Sequence, residues 1–311
     1  MTAKTFALIC DFTTSHGYGN VLRSLVLAGK SQELAPTKLI IITQHAEKLS
    51  HLLPEESEFE TIFVKSVDES KTLTKFATHL LIDCGSSDIV VKIAQIKDEN
   101  SMIKITALDY FENNPHIDLR ISLFNQNNNS FEGETENSKV GLKYCILDRV
   151  LQEIEPKENR KGIIVRFSGA PSNLLTATKK AIDTAGLNRI HHIRYFDNTR
   201  VSAEKNFLPK SQFLEALSEC ALYIGSGTTS FLEATYLRTP TIFIGVNHLE
   251  RRFGSALALK FGIKNIDLEV DHLASSLANE IELSFNGKDL GQNLNIDLNG
   301  VDRVLDLVMS L

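Results

Sequence analysis

The sequence has no apolar segment long enough to cross a membrane. No stretch approaches the ~20 apolar residues that a bilayer requires, and the N-terminal apolar run between Lys4 and Asp11 is short. We therefore expect a soluble, unprocessed cytoplasmic protein that does not insert into a membrane. An excess of positive charge is missing as well, because 33 basic residues stand against 39 acidic ones. Since binding to phosphate backbones depends on positive charge, nucleic acid is not an expected partner.

Cysteine is scarce and is not arranged for a disulfide framework or a metal site. The four cysteines lie far apart, each beside apolar residues, at Cys10, Cys84, Cys145 and Cys220. They include no Cys-x-x-Cys pair and no neighbouring histidine at ligand spacing. We expect reduced, buried cysteines, and the sequence predicts neither a metal site nor a cofactor.

The length and composition indicate two domains of alternating strands and helices. The 311 residues, 42% of them hydrophobic, are enough for two cores. Short β-branched runs alternate with segments of helical period, which is typical of strand-helix-strand units and a mostly parallel sheet. In the first half this pattern predicts strands at residues 5–11, 38–43, 61–64, 79–83 and 104–109. In the second half it predicts strands in GIIVRF, RIHHIRYF, ALYIG and TIFIG, and helices at residues 174–185 and 212–219.

Periodicity and polar stretches set the expected boundaries. The first helix should place Val21, Leu22, Leu25 and Ala28 on one face and end at Gly29 as its C-cap. The polar residues 125–139 carry no period and predict a long mobile surface loop. The charged residues 151–161 are expected to link an N-terminal domain, residues 1–150, to a C-terminal domain, residues 162–296, with a helix in residues 297–311.

Two such halves predict an α/β protein of two Rossmann-like domains that face one another across a cleft. Ligands of such sheets bind at the carboxyl ends of the strands, so the cleft is expected to hold the site. After the first strand, Gly17 and Gly19 stand where the backbone either approaches a ligand or only turns sharply. This loop lacks the lysine of a phosphate-binding loop, and Leu22 stands where the dinucleotide fingerprint has its third glycine.

A second loop of small residues is the stronger candidate. It joins the strand ALYIG to the helix FLEATYLR through Gly225, Ser226, Gly227, Thr228 and Thr229. Backbone N–H groups at a helix N-terminus can bind a phosphate together with the helix dipole, and threonine hydroxyls can add hydrogen bonds. The next strand, TIFIG, ends near Asn247 and His248, which would lie at the same edge of the sheet.

Glu233, one turn into that helix, has two interpretations. Its carboxylate could receive hydrogen bonds from two ribose hydroxyls. Alternatively, Ser230-x-x-Glu233 is a capping box, in which both side chains serve only the helix end.

The glycine loops also carry a family resemblance. GYGNVLRSLVLA resembles the Gly-x-Gly-His-x-x-Arg loop and helix of the UDP-sugar hydrolases of the pseudaminic-acid pathway. SGTTSFLEATYLRTP resembles the nucleotide-binding loop and helix of the same family, with Glu233 and Pro240 at matching separation. Weaker echoes lie between them in the same order: LLIDCGSSD, ITALDYF, GLKYCILD and IIVRFSGAPSNLLT.

The resemblance implies a glycosyltransferase-B-like fold whose C-terminal domain holds the uridine nucleotide. It implies that Glu233 binds the ribose, that residues 225–229 hold the diphosphate, and that the final helix returns to pack on the N-terminal domain. Arg23 matches the arginine of the family motif, and it could bind substrate or make an internal ion pair.

The sequence departs from the family on the expected catalytic side. Where the family has the histidine that acts on the attacking water, this sequence has Asn20, whose amide cannot take a proton. His16 lies in the same loop but does not match the motif position. Asp83 and Asp109 end predicted parallel strands, where each could replace the missing base or only cap the next element.

The predicted function is therefore that of a nucleotide-sugar enzyme of surface-glycan biosynthesis. The resemblance implies a hydrolase that cleaves the bond between the anomeric carbon and the diphosphate of a UDP-sugar. Because Asn20 removes the group that activates water, a glycosyltransferase with a glycan acceptor is one alternative. A catalytically inactive nucleotide-sugar binding protein is the other. The sequence makes no prediction of oligomeric state.

Overall fold

The computed structural model describes most of the chain and divides it into two compact units. The described residues are 4–13, 18–53, 56–69, 74–84, 87–109, 114–125, 128–167, 172–189, 192–197, 209–266, 273–285 and 294–311. The first unit consists of Met1–Asn125, Phe131–Leu147 and Leu298–Leu311, and the second consists of Gln126–Ser130 and Asp148–Asp297. No helix within the described part is long and apolar enough to span a bilayer.

The first unit contains a parallel sheet of seven strands among its described residues. They are β1 (Phe6–Asp11), β2 (Thr37–Ile42), β3 (Glu60–Val64), β4 (His79–Asp83), β5 (Lys104–Leu108), β6 (Leu119–Ser122) and β7 (Ser138–Val140). Their order is β3-β2-β1-β4-β5-β6-β7, and every neighbouring pair is parallel. The order reverses between β1 and β4, whose carboxyl ends form the switch point where ligands of such sheets bind.

Apolar strands and two amphipathic helices explain this layer structure. Every residue of β1 and β4 is buried, as expected for central strands covered on both faces. Helix α1 (Gly19–Gln32) and helix α2 (Ser87–Glu99) follow β1 and β4. The strands contribute to two apolar clusters, one that includes α1 and one that includes α2.

Helix α1 differs from its prediction in its end and in its buried face. It continues to Gln32, so Gly29 lies inside the helix and is not a C-cap. The buried residues are Val21, Ser24, Leu27, Ala28 and Ser31, whereas Leu22 and Leu25 are only partly buried. Small serines fit against the sheet, so the buried face is not the most hydrophobic one.

The prediction of one long loop at residues 125–139 is wrong in part. Ser138–Val140 forms β7 and pairs with β6 at the edge of the first sheet. Residues 126–130 instead belong to the second unit, where the Arg252 guanidinium donates to Asn129 Oδ1 at 3.1 and 3.2 Å.

The second unit contains a smaller parallel sheet. Its described strands are β8 (Ile163–Phe167), β9 (Ile193–Asp197), β10 (Leu222–Gly225), β11 (Thr241–Ile244) and β12 (Asn265–Ile266), in the order β12-β11-β10-β8-β9. Its helices are α3 (Ser172–Thr184), α4 (Lys210–Glu219), α5 (Thr228–Tyr236), α6 (His248–Phe261) and α7 (Leu273–Phe285). The N-termini of α5 and α6 follow β10 and β11 directly, so both lie at the carboxyl edge of this sheet.

The segment expected as a linker is part of the second unit. The chain changes units between Leu147 and Asp148, and Leu151 beyond that point is fully buried. Arg160 donates to the Leu237 carbonyl at 2.6 Å and to Thr239 Oγ1 at 2.8 Å, which anchors residues 151–161 to the end of α5.

Helix α8 (Gly300–Met309) completes the first unit. Its buried residues Val301, Val304, Leu305 and Val308 pack in the same cluster as strand β1. A Cβ atom at Gly300 would lie 1.9 Å from the Cys145 carbonyl oxygen, so only glycine fits at this close approach. At the other end of α8, Lys4 Nζ donates to the Met309 carbonyl at 2.6 Å.

Candidate functional site

The loop after β10 is shaped by two glycines. A Cβ atom at Gly225 would lie 2.3 Å from the Tyr223 hydroxyl oxygen and 2.6 Å from the Arg166 carbonyl oxygen, so no larger residue fits there. Gly227 has φ +87° and ψ 116°, a backbone conformation that side chains rarely adopt. The Ser226 N–H donates to the Arg166 carbonyl at 3.1 Å, which fixes the loop to the adjacent strand β8.

The start of α5 is capped by backbone rather than by a side chain. Gly227 is the N-cap, and no side chain of the described residues makes a capping hydrogen bond. The Phe231 N–H makes the first intrahelical bond, to the Gly227 carbonyl at 3.1 Å. The N–H groups of Thr228 and Thr229 in the first turn therefore have no helical acceptor, and the helix dipole adds partial positive charge there.

Glu233 is buried and paired with a lysine. Its side chain is 1% exposed, and its Oε1 accepts a hydrogen bond from Lys210 Nζ at the start of α4. The capping-box interpretation of Ser230 and Glu233 is wrong, because Gly227 occupies the N-cap and neither side chain caps α5. The structure instead gives Glu233 a charged partner at one edge of the glycine loop.

Tyr223 lies beneath this loop. Its side chain is fully buried, and its hydroxyl lies 3.5 Å from the Ser226 carbonyl, to which it donates. It also hydrogen-bonds with Ser230, and burial raises the pKa of the phenol well above its usual range. The sequence gave no signal for Tyr223 beyond its place in an apolar strand.

The following loop contains a carboxylate that the sequence analysis missed. Asn247 is the N-cap of α6, and its side-chain oxygen accepts from the Glu250 N–H at 2.9 Å. Glu250 in turn accepts from the Val246 N–H at 3.0 Å and from the Gly227 N–H. Burial raises the pKa of Glu250 to about 7. The signal was available, because Asn247-x-x-Glu250 has capping-box spacing.

Glu250 therefore connects the two loops at the carboxyl edge of the second sheet. His248, the first residue of α6, is exposed to solvent beside them. The predicted residues of the second unit, from Gly225 to Glu233 and at Asn247 and His248, all follow two adjacent strands.

In the first unit, Arg23 is the centre of a hydrogen-bonded network. Its Nε donates to Asp83 Oδ2 at 3.0 Å and its Nη2 to Asp83 Oδ1 at 2.6 Å, while its Nη1 donates to Asp109. Nη2 also donates to Asn20 Oδ1 at 3.1 Å. Asn20 Nδ2 then donates to Asp11 Oδ1 at 2.9 Å. The network joins residues at the carboxyl ends of β1, β4 and β5.

The charges of this network are coupled. Burial works against the charge on Arg23, but Asp83 and Asp109 outweigh it, so the pKa of Arg23 is raised. Burial, opposed by Arg23, raises the pKa of Asp83 to about 6. Asp109 has φ +51°, a strained conformation for this residue type, and its second carboxylate oxygen accepts from the Leu123 N–H at 3.3 Å.

The structure thus brings together Asn20, Arg23, Asp83 and Asp109 in one network. Gly19 is the first residue of α1, and His16 and Gly17 lie outside the described residues. No group of three or more potential metal ligands occurs among the described residues. Asp11, which the sequence analysis noted only as a partner for Arg23, is a further member of the network through Asn20.

Comparisons with known proteins agree on the fold. No protein-family model and no curated protein sequence matches the chain. The solved UDP-GlcNAc 2-epimerase of Methanocaldococcus jannaschii, in complex with UDP-GlcNAc and UDP, is 12% identical, with a TM-score of 0.67 over 99% of this chain and 100% of that chain. UGT89C1 of Arabidopsis thaliana, complexed with quercetin, is 11% identical, with a TM-score of 0.62 over 97% and 99%. CalG4, the calicheamicin glycosyltransferase, is 11% identical, with a TM-score of 0.52 over 100% and 95%.

At these identities the similarity establishes the fold. The chain has a glycosyltransferase-B-like fold of two parallel-sheet α/β units, and the predicted fold class is confirmed.

Proposed function

We propose that the chain binds the UDP part of a nucleotide sugar on its second unit and breaks the bond between the anomeric carbon and the diphosphate. The observation that carries this proposal is the start of α5, where a loop shaped by Gly225 and Gly227 leads into a helix that no described side chain caps. Such a helix start offers N–H donors and partial positive charge to a diphosphate.

In this proposal the loop also promotes the reaction. Negative charge builds up on the diphosphate as the bond to the sugar breaks, and preorganised N–H groups stabilise that charge without rearranging. The hydroxyls of Thr228 and Thr229 add hydrogen bonds to the same group. Glu233, one turn further into α5, accepts hydrogen bonds from the ribose hydroxyls in place of, or together with, Lys210.

Two structural neighbours support this assignment by what they bind. The M. jannaschii enzyme holds UDP-GlcNAc and UDP, and CalG4 is a glycosyltransferase. We place transfer to a hydroxyl acceptor first, because Asn20 cannot accept a proton and its amide already bonds Asp11 and Arg23. Hydrolysis is the second candidate, favoured by the motif resemblance to pseudaminic-acid-pathway hydrolases around Gly19 and Arg23.

A release assay tests the proposal. The purified chain is incubated with UDP-GlcNAc, UDP-glucose and UDP-rhamnose, with and without hydroxyl acceptors, and free UDP is measured. Release that depends on an acceptor is the expected result, and release in its absence would favour hydrolysis. UDP binding without any release would indicate a binding protein, and absence of UDP binding in titration calorimetry would refute the nucleotide site.

A further inference from the structure

A second cavity lies within the first unit, at the carboxyl ends of its first four strands. We call it the strand-end pocket. It has a volume of about 540 Å³ and includes Asp11 and Phe12 after β1, Ile42 at the end of β2, Val67 after β3 and Ile89 and Val91 on α2. Its volume falls in the range of pockets that bind small organic molecules.

The lining of the strand-end pocket is mainly apolar. Phe12, Val67 and Ile89 are buried and form apolar walls. Val91 also lines the pocket but is 66% exposed, which is unusual for a valine and leaves apolar surface at the mouth. Charged groups stand at the rim, where Lys92 pairs with Asp68 at 2.6 Å. A ligand with an apolar body and polar substituents matches this distribution.

Of the three aspartates at strand ends in the Arg23 network, only Asp11 lines this pocket. Both carboxylate oxygens of Asp83 accept from Arg23. Asp109 accepts from Arg23 with one oxygen and from the Leu123 N–H with the other. Asp83 and Asp109 therefore hold the guanidinium in place, whereas Asp11 presents a carboxylate to the cavity.

The orientation of Asp11 is set by the rest of the network. Asn20 Nδ2 donates to Asp11 Oδ1, and the same amide accepts from Arg23 through its oxygen. Because Arg23 is itself held by two carboxylates, neither Asn20 nor Asp11 can rotate without breaking hydrogen bonds. Asn20 thus acts as a positioning residue, and a carboxylate is a group that can take a proton where an amide cannot.

We propose that the strand-end pocket binds a hydroxyl-bearing acceptor with an apolar body and that Asp11 takes the proton from its reacting hydroxyl. This inference rests on the proposed function. The acceptor oxygen forms a bond to the anomeric carbon, the bond from that carbon to the diphosphate oxygen breaks, and its electron pair leaves with UDP. The hydroxyl proton moves to the Asp11 carboxylate, so the step needs no further reactant.

The test uses the full chain, a UDP-sugar donor and two classes of acceptor. Quercetin and 4-nitrophenol have apolar bodies, and glucose is a polar acceptor of comparable hydroxyl content to many sugars. We expect quercetin or 4-nitrophenol to increase UDP release at least tenfold over water, with glucose well below both. Equal release with water alone, or a preference for glucose, would overturn the assignment of the acceptor class.

Asp11→Asn tests the proton acceptor. The amide keeps an oxygen that accepts from Asn20, so the variant should fold, and a melting curve checks this. We expect kcat to fall 10²-fold or more, the typical contribution of a general base, while the acceptor KM and the affinity for UDP change less than threefold. Asp98→Asn, which removes an exposed carboxylate from α2 of the same unit, is the matched control and should leave kcat unchanged.

Val91→Trp tests the pocket independently of the base. The exposed position tolerates a larger side chain, and an indole there should fill the mouth and raise the KM for quercetin at least tenfold. UDP affinity measured by calorimetry should stay unchanged in both variants, because the nucleotide is assigned to the second unit. Loss of UDP binding by the unmodified chain refutes the proposed function. Normal UDP binding with an unaffected Asp11→Asn variant refutes only the role of Asp11.

Discussion

Arg23 binds Asp83 through two parallel hydrogen bonds, from Nε to Oδ2 at 3.0 Å and from Nη2 to Oδ1 at 2.6 Å. This fork geometry is specific to arginine and joins helix α1 to the end of β4. The side chains of Arg23 and Asp83 are only 13% and 4% exposed. The pair is therefore a buried ion pair, and it carries Asp109 and Asn20 with it.

Removal of the guanidinium should destabilise the first unit strongly. Arg23→Ala leaves the carboxylates of Asp83 and Asp109 buried without their cation, and breaking a buried pair in this way costs about 3 to 5 kcal/mol of the free energy of unfolding. Chemical denaturation measures this loss. Arg23→Lys should lose less, because an ammonium keeps the charge but cannot form the fork.

Two variants separate this explanation from a general loss of packing. Adding Asp83→Asn to the Arg23→Ala variant removes one unpaired charge and should recover about 1 kcal/mol or more. Arg194→Ala, at an exposed position of β9, should stay within about 0.5 kcal/mol of the unmodified chain. An Arg23→Ala variant as stable as Arg194→Ala would contradict the role of the network.

The Lys210–Glu233 pair predicts distinct effects on binding and on stability. If Glu233 holds the ribose, Glu233→Ala should weaken UDP binding by about 1 to 3 kcal/mol, the size of a hydrogen bond to a charged group. Lys210→Ala should lower the melting temperature, since it leaves the Glu233 carboxylate buried without its partner. Calorimetry with UDP and thermal melting measure the two effects separately.

The comparison of these two variants decides the role of Glu233. A purely structural glutamate would make Glu233→Ala and Lys210→Ala lower the melting temperature alike while leaving UDP affinity unchanged. That result would remove Glu233 from the proposed nucleotide site but would leave the start of α5 untouched.

Glu250 predicts a pH dependence of stability. The unfolded chain releases the Glu250 proton near its ordinary pKa of 4.5, whereas the folded chain releases it only near pH 7. Between these values the folded state holds more protons than the unfolded state, so raising the pH lowers the free energy of unfolding. The stabilisation is complete below about pH 4.5 and is lost as the pH passes through 7.

Urea denaturation between pH 4.5 and 8 measures this dependence. Glu250→Gln keeps an oxygen for the Val246 N–H but does not titrate, so the difference in unfolding free energy between the variant and the unmodified chain isolates Glu250 from Asp83. We expect this difference to move in favour of the variant as the pH rises. A difference independent of pH would show that the Glu250 pKa is not raised.

Much of the fold could be predicted because strands and helices follow local patterns. The β-branched runs that end at Asp11, Asp83 and Gly225 form strands as expected, and alternation with helices indicated parallel sheets. The strand β7 was missed because Ser138 and Lys139 carry no such pattern, and it forms only because β6 offers an open edge. Helix α1 shows a related limit, since the buried Ser24 and Ser31 do not register as apolar.

The candidate site was predictable in outline but not in its pairings. The carboxyl ends of parallel strands meet at one edge, which is why Asp83 and Asp109 could be expected near each other. Their shared partner Arg23, like the pairing of Lys210 with Glu233, joins residues far apart in sequence. Such ion pairs depend on side-chain placement in the folded core, and spacing along the chain carries no information about them.

The return of helix α8 to the first unit has a consequence for synthesis on the ribosome. The second unit can close its core as soon as residue 297 has emerged, whereas the first unit, begun earlier, still lacks Val301, Val304 and Val308 at that moment. The domain translated first is thus the one completed last, and until then the apolar side of β1 and α1 that α8 covers stays open to chaperones.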